Sequence, residues 1–422
     1  MNIWIVSDGE PLPTDGQNVR LRRMGMLSTI LYQMGHEVHW FSSSFHHYKK
    51  EQRCNNDTEI LIKDNFTIHL IKTKGYKNNV SVQRINHHRT LARKFNIKTI
   101  DYNKPDIILV TLAPLELSKV VVNYGEQNKI PVIVDIRDLW PEIFSEVIPK
   151  WGKGIIRPYI WMCKKRLKSI IRRATAIIGV TPNFLEYGLN VAGLKKRQFD
   201  EVFFTSYKPR DLTNQMPSFK ENWGHYGLKQ SDFIVTFVGN FGKQFVLNPI
   251  IEAAEKLKEY QDIKFVLCGS GETLQSFKNE SKHLDNIILT GWIEESEIHS
   301  LLSATSIGIA PYRNSINFTN NTPNKFGEYL SAGLPVILGV GGIMEDLVRD
   351  YKCGDIYKDS EELAKIIKSL YFDNDLLKSM SVNAYKLYEE KFNSDKVYPD
   401  FAKYLEKVAL KSKSKIGEYN EI

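Results

Sequence analysis

NNTPNKFGEYLSAGLPVILGVGG, Asn320 to Gly342, holds a helix, a stop and a buried strand in one short stretch. Thr322 and Pro323 fit the N-cap and first position of a helix. Gly333 fits the left-handed residue that ends it, and PVILGV is an apolar strand running into a further glycine pair. A helix feeding a wholly apolar strand is the repeating unit of a parallel sheet covered on both faces. The start of this helix also has a chemical direction. Its first turn offers free N–H groups and a partial positive charge, and Lys325 adds a full one. Asn324 and Glu328, four apart, share the face just beyond. A phosphate at the tip with a sugar hydroxyl one turn further on would engage all of these residues. A capped surface helix with a Lys–Glu pair accounts for them equally well.

The same alternation runs along the whole chain of 422 residues. NIWIVS, EVHWFS, DIILVT, PVIVDI and AIIGVT form a first set of strand-like runs, with helical patterns such as Arg20–Met34 between them. FIVTFVG, IKFVLCG, NIILTG, IGIAPY and PVILGV form a second, with a helical pattern over Pro249–Tyr260. The chain therefore reads as two doubly wound α/β domains facing each other across a cleft. Residues 1–206 form the first, 207–231 a polar connection, and 232–392 the second. A final helix and tail, 393–422, has no strand left to accompany and is expected to pack back on the first domain. Ligands of such sheets lie beyond the strand C-termini, so those loops are the ones to search.

Composition narrows the classes. The chain is 42% hydrophobic and 25% charged with a net charge of +8, which suits an anionic partner. Much of the excess lies in Lys150–Arg173, which carries nine Lys or Arg and no acid, interleaved with Trp151, Tyr159 and Trp161. No nucleic-acid module accompanies this stretch, so nucleic acid is not expected as a partner. No apolar run is long enough to span a bilayer, and MNIWIVSDGE reads as a strand and not as a leader. Four cysteines stand apart without metal or redox spacing, as free thiols of a reducing cytoplasm would. The pairs His46–His47 and His87–His88 sit in polar contexts and read as surface residues. Asp373-Asn374-Asp375 has the D-x-D form of a metal site but lies between two helices, where capping is its natural role. No metal is expected.

Several strand exits carry chemistry. After the first strand, Gly16 precedes a helix expected to begin near Val19, with Arg20 in its first turn, a second anion-binding tip. The loop lacks the G-x-G-x-x-G fingerprint, and no acid ends the second strand, which disfavours a nicotinamide cofactor. PVIVDIRDLWPE brings Asp135, Arg137 and Asp138 to the end of a buried strand, where charge must be paired or used. A carboxylate there could orient or deprotonate an acceptor hydroxyl while Arg137 holds a phosphate; a structural Asp–Arg–Asp network is the alternative. In the second domain VGNFGK offers Gly239, Asn240, Gly242 and Lys243, and CGSGE offers Gly269 and Gly271. TGW adds Trp292 on the same edge. Glycines at successive exits allow close backbone contact with phosphate oxygens.

Taken together, GQNVRLRRMGMLSTILYQMGHEV, DIRDLWPE, FVGNFGKQFVLNPIIEAAEKL, VLCGSGE, GWIEESEIHSLLSATSIGIAPY and TPNKFGEYLSAGLPVI resemble glycosyltransferase family 4. These are the retaining enzymes of the GT-B fold, and the resemblance is to the branch building bacterial O-antigen and capsule, which includes N-acetylfucosamine transferases. It implies metal-independent transfer from a nucleotide-diphosphate sugar, UDP foremost, to a polyprenyl-diphosphate-linked glycan. No cofactor is implied besides the donor. In the family a pair of glutamates eight apart marks the donor site. The second falls on Glu328 as the ribose ligand; the first falls on Asn320, so the sugar-side carboxylate is an amide here. The family's Arg in the first glycine loop is Asn240, leaving Lys243 and Lys325, with Thr322–Asn324 and the N–H groups of Gly16 and Gly242, to stabilise the leaving diphosphate. Asp138 or Asp135 would position the acceptor. A lipid-linked acceptor also implies a peripheral place on the anionic cytoplasmic leaflet of the inner membrane. Trp151, Trp161, Lys164, Lys165, Arg166 and Lys168 would form the docking face. A GT-B-like nucleotide-sugar epimerase and a non-catalytic subunit binding nucleotide sugar or glycan-lipid are the competing readings.

Overall fold

The computed structural model describes residues 1–16, 19–142, 153–209 and 218–420. It divides into two compact units, Met1–Phe204 with Asp395–Ile422, and Thr205–Ser394.

The first unit contains β1 (Asn2–Val6), β2 (Glu37–Ser43), β3 (Thr58–Lys63), β4 (Phe66–Ile71), β5 (Ile107–Thr111), β6 (Val132–Ile136), β7 (Ala176–Gly179) and β8 (Glu201–Val202). They lie in the order β8-β7-β6-β5-β1-β2-β4-β3, parallel except for β3, which runs antiparallel to β4. Every residue of β5 and β6 is buried, as a sheet covered on both faces requires. The β3–β4 hairpin is not among the apolar runs of the sequence. TEILIK alternates half-buried and exposed positions, the pattern of an edge strand with one side open.

The last helix, Ser394–Asn420, belongs to this unit. Tyr398, Phe401, Ala402, Leu405, Val408 and Ala409 recur at helical spacing and join one core with Ile3, Ile5, Leu27 and Trp40. The Phe401 ring stacks on Phe203 with centroids 4.5 Å apart.

The second unit is a six-stranded parallel sheet of β9 (Phe233–Val238), β10 (Ile263–Cys268), β11 (Ile287–Gly291), β12 (Thr305–Ala310), β13 (Val336–Leu338) and β14 (Gly354–Ile356), ordered β11-β10-β9-β12-β13-β14. The chain thus has the GT-B architecture of two parallel-sheet α/β units. Part of the segment read as a polar connection is structured. Phe219–Trp223 is a helix, and Trp223 and Leu228 are buried beside Ile234, Val266 and Leu301. One indole amid polar residues draws that segment into the second unit's core.

Phe401→Ala removes a fully buried ring from the face shared by the last helix and the first sheet. It should destabilise the first unit by about 3–5 kcal/mol, read as a shifted midpoint in urea unfolding.

Candidate functional site

Three strand exits of the second unit are laced together by their own backbone. Phe241 N donates to Ser270 O at 2.9 Å, Thr273 N to Phe241 O at 2.9 Å, and Gly269 N to Gly291 O at 2.6 Å. The glycines explain why they can approach. A Cβ on Gly269 would lie 1.7 Å from Gly239 O, and one on Gly271 2.2 Å from the Asn240 side-chain oxygen. These two glycines therefore serve loop-on-loop packing, a tighter constraint than the ligand approach read from sequence. Gly242 turns back under the Gln244 side chain. Asn240 and Lys243 stand exposed on the resulting ledge, with Lys243 3.3 Å from Glu272. Trp292 is 75% exposed at the end of β11.

Next to this ledge is the helix Asn324–Ser331. Its N-cap is Pro323, not Thr322, and no side chain caps it. The Thr322 hydroxyl is buried without a hydrogen-bond partner. Proline has no side-chain acceptor to offer, and while Phe326 N donates to Pro323 O at 2.9 Å, the N–H groups of Asn324 and Lys325 remain for solvent or a ligand. Gly333 ends the helical segment at φ +67°, as the sequence implies. Asn320 ends a separate short helix, Ile316–Asn320, and its amide donates back to Ile316 O at 2.6 Å.

Lys325 is the centre of this arrangement. Its ammonium lies 4.6 Å from the ring centroid of Phe237 and 5.2 Å from that of Phe245. It is so close to Gly239 that a Cβ there would sit 2.0 Å from Nζ. Burial lowers it to about 8, against the opposing fields of Glu328 and Cys268. Among the described residues no carboxylate comes within ion-pair distance of it. One turn on, Glu328 accepts from the Tyr207 hydroxyl at 3.1 Å. Tyr207 was not singled out in the sequence. It lies in the polar connection, and only the fold carries it to Glu328.

The first unit holds its charges differently. Asp135 is wholly buried and gripped by Arg23 through Nε at 2.9 Å and Nη2 at 3.2 Å. Arg23 Nη1 donates in turn to the carbonyls of Phe203 and Phe204. A carboxylate so enclosed cannot meet an acceptor, so Asp135 is a fastening of β6 and not a catalytic group. Arg137 pairs with Glu10, which also accepts from Met24 N at 3.0 Å. Burial alone would lower Arg137; Glu10, Asp135 and Asp138 outweigh it and keep the guanidinium charged. The helix begins at Arg23 and not near Val19, so Arg20 precedes its first turn and Glu10 fills the expected anion position at its tip. Gly16 faces open space. Asp138 remains in contention. Solvent reaches it, yet surrounding protein desolvates the carboxyl and raises it, with Arg137 and Arg84 pulling the other way.

The histidine pairs are not at the surface. His46, His87 and His88 are buried, and His87 Nε2 lies 2.9 Å from Asp8, whose other oxygen accepts from Ser43. Asp8, His87 and His88 bring ligand-type atoms within 4.8 Å of one another. Burial pushes His88 down to about 3, Asp8 opposing and Arg84 assisting, so it is neutral. Their polar sequence context concealed a helix face turned toward β1. Asp373 caps a helix, accepting from Leu376 N at 2.9 Å.

With this geometry in view, the comparisons with known proteins become informative. Residues 218–387 match the family described as glycosyl transferases group 1. The matched segment carries the ledge, the helix tip, Lys325 and Glu328. The chain is 21% identical over 206 residues to alpha-monoglucosyldiacylglycerol synthase of Acholeplasma laidlawii, covering 47% of each. It is 27% identical over 148 residues to the protein of that name from Streptococcus pneumoniae, covering 34% of this chain and 32% of that one. The alignments thus span half or less of these curated relatives, neither of which is an N-acetylfucosamine transferase. Among solved structures, sucrose-phosphate synthase from Thermosynechococcus elongatus superposes with a TM-score of 0.67 at 15% identity, over 96% of this chain and 98% of that one. Anabaena HepE in complex with UDP gives 0.64 at 14%, over 96% and 100%. WaaG, a glycosyltransferase involved in lipopolysaccharide biosynthesis, gives 0.59 at 13%, over 96% and 99%. At these identities the likeness is one of fold.

Outside the group 1 segment, the basic helix Lys153–Arg173 presents a divided surface. Cys163, Leu167, Ile170 and Ile171 are buried. At helical pitch Arg157, Trp161, Lys164, Lys165 and Lys168 form a stripe on the other side. Trp161 is 60% exposed, with Lys165 Nζ 3.7 Å from its ring centroid. Two of the proposed docking charges are not free: Lys164 meets Glu142 at 2.7 Å and Arg166 meets Glu116 at 2.9 Å. Trp151 lies outside the described residues. No described helix is long and apolar enough to cross a membrane.

The lowered Lys325 fixes a pH dependence. A bound diphosphate favours the charged form, so binding should take up a proton near pH 8. Affinity should be flat below that point and fall by up to about tenfold per unit above it. Calorimetry with UDP in buffers of differing ionisation enthalpy reads both. In the unfolded chain the amine returns to its ordinary range, so the folded state is penalised below about pH 8 and relieved as pH rises toward 10.5. Lys325→Met should therefore raise the melting temperature at pH 7 while abolishing UDP binding.

Proposed function

We propose that the chain is a retaining glycosyltransferase that moves a sugar from a nucleotide-diphosphate sugar, UDP foremost, to a lipid-linked glycan in bacterial surface-polysaccharide assembly. The observation that carries this reading is the uncapped helix tip with a partly buried, carboxylate-free Lys325 and, one turn on, Glu328. That array suits a diphosphate and a ribose, and it lies in the segment matching glycosyl transferases group 1. UDP in the HepE complex supports the choice of base. The alpha-monoglucosyldiacylglycerol synthase relatives and WaaG support a lipid-anchored acceptor.

In the proposed reaction the bond from the sugar's anomeric carbon to the diphosphate oxygen breaks and one to the acceptor oxygen forms on the same face. The acceptor hydroxyl gives its proton to the departing diphosphate oxygen on that face. Lys325 and the helix tip stabilise the charge developing on the diphosphate, and Glu328 holds the ribose. Asp138 orients the acceptor hydroxyl by accepting its hydrogen bond.

Incubation of UDP-sugars with a polyprenyl-diphosphate disaccharide should give an elongated, retained-configuration product, seen by mass spectrometry and NMR, that persists in EDTA. Asp138→Asn should lower turnover at least a hundredfold with UDP affinity within threefold of wild type. Conversion of the donor sugar without acceptor would instead establish an epimerase, and loss of activity in EDTA would return attention to Asp8, His87 and His88.

We further propose that the basic helix places the enzyme on the anionic cytoplasmic leaflet through Trp161, Arg157, Lys165 and Lys168. Each cation near such a surface contributes about 1 kcal/mol. Co-sedimentation with phosphatidylglycerol vesicles should be lost at high salt and in the variant with Arg157, Lys165 and Lys168 all changed to Glu. Neutral vesicles should not bind.

A further inference from the structure

The first unit contains a cavity of about 340 Å³ that none of the preceding roles uses. Most of its walls come from two elements, with Glu116 added by the helix Leu115–Asn128. Val80, Val82 and Ile85 line it at the start of the helix Val82–Lys98, and Ile156 and Tyr159 line it from the basic helix, with Trp140 between them. Val80 and Val82 are 54% and 72% exposed, so apolar surface continues outward from the cavity. Such side chains are costly to leave in water unless something covers them.

The polar groups inside are few, and they share a bias. His88 lines the cavity as a neutral ring. Glu116, the one acid in the lining, is engaged by Arg166. Arg84 is the exception. Its Nη1 donates to Asn79 O at 2.9 Å and its guanidinium lies 5.8 Å from the Trp140 ring centroid, yet no carboxylate pairs with it among the described residues. Its Nε is buried with no hydrogen-bond partner. Arg84 also acts on the Asp138 carboxyl, so the guanidinium lies within electrostatic reach of the group assigned to the acceptor hydroxyl. The guanidinium also lies 5.4 Å from the Tyr76 ring centroid. An apolar slot with one guanidinium that has no carboxylate partner among the described residues, flanked by a basic helix without acids, is complementary to a single apolar chain ending in phosphate.

We infer that this cavity binds the first isoprene units of a polyprenyl diphosphate, with Arg84 holding its phosphate. The inference rests on the lipid-linked acceptor proposed above and assigns a site to it. One slot beside one guanidinium suits a single-chain phosphate lipid. A diacyl lipid would bring two chains, and a diacylglycerol would leave Arg84 without an anion. Chain length beyond the slot is free to stay in the membrane, toward which the exposed Val80 and Val82 would lead. Arg84 is thereby a specificity-determining residue for the acceptor and has no part in donor binding.

The test uses the full chain with UDP at saturation, so that the second unit's phosphate site is occupied, and farnesyl diphosphate as the probe. Calorimetry should show farnesyl diphosphate binding at least tenfold tighter than inorganic pyrophosphate. Arg84→Gln and Ile156→Trp, which fills the slot, should each weaken it at least tenfold. UDP affinity, measured separately, should stay unchanged and report that each variant is folded. Val82→Glu, at an exposed position, gives the same reading without disturbing the interior. Equal affinity for pyrophosphate and farnesyl diphosphate would overturn the slot, and unchanged binding in Arg84→Gln would overturn the phosphate contact. Phosphatidic acid binding as tightly as the prenyl compound would overturn the assignment to a single-chain lipid. Failure of UDP itself to bind would count against the donor site and leave these outcomes legible, since the farnesyl measurement can be repeated without it.

Discussion

An ammonium ion held against two phenylalanine faces and a bare glycine is the contact on which the second unit's chemistry depends. Lys325 has surrendered much of its hydration without gaining a carboxylate, and aromatic quadrupoles return only part of that loss. The residue is therefore poised for an anion and costs stability until one arrives. Gly239 is what lets the ammonium lie there, and the laced loops around Gly269 and Gly271 hold Gly239 in place. Phosphate affinity at this helix tip is thus a property of loop packing as much as of the tip's own dipole.

The first unit solves the opposite problem. Its strand ends also carry charge, but Asp135 with Arg23 and Arg137 with Glu10 are matched internally. Buried pairs of this kind give geometry more than affinity for ligands, because neither partner can be withdrawn without stranding the other. What they fix in position is Asp138, at the end of the same DIRD segment. Arg84 lies within electrostatic range of it, so the charged groups without an ion-pair partner are the ones left for an acceptor.

Where periodicity carried the signal, the sequence was readable. The parallel strands, the paired α/β sets and the last helix all follow from apolar spacing that has a direct geometric meaning. Failures arose where one residue's partner is distant in sequence. Nothing local marks Glu10 as the cap of the helix at Arg23, or Tyr207 as the partner of Glu328. His87 and His88 look solvated because their neighbours are polar, while their helix turns them toward Asp8. Asp135 and Asp138 look equivalent in DIRD; a step of three residues past a strand end separates complete burial from solvent contact. The glycine loops read as ligand approaches, yet a neighbouring loop explains two of them, Gly269 and Gly271.

The last helix completes the first sheet's covering only after the intervening second unit in the order of the chain. During synthesis, Thr205–Ser394 is a contiguous stretch that can close its own core as it emerges. Met1–Phe204 must wait, with Ile3, Ile5, Leu27 and Trp40 on a face still lacking Tyr398, Phe401 and Leu405. A nascent chain halted between the two therefore presents a finished second unit joined to an open, sticky first one. Chaperones and proteases are recruited to such surfaces, so a halt anywhere between residue 204 and the last helix leaves that apolar face open to them.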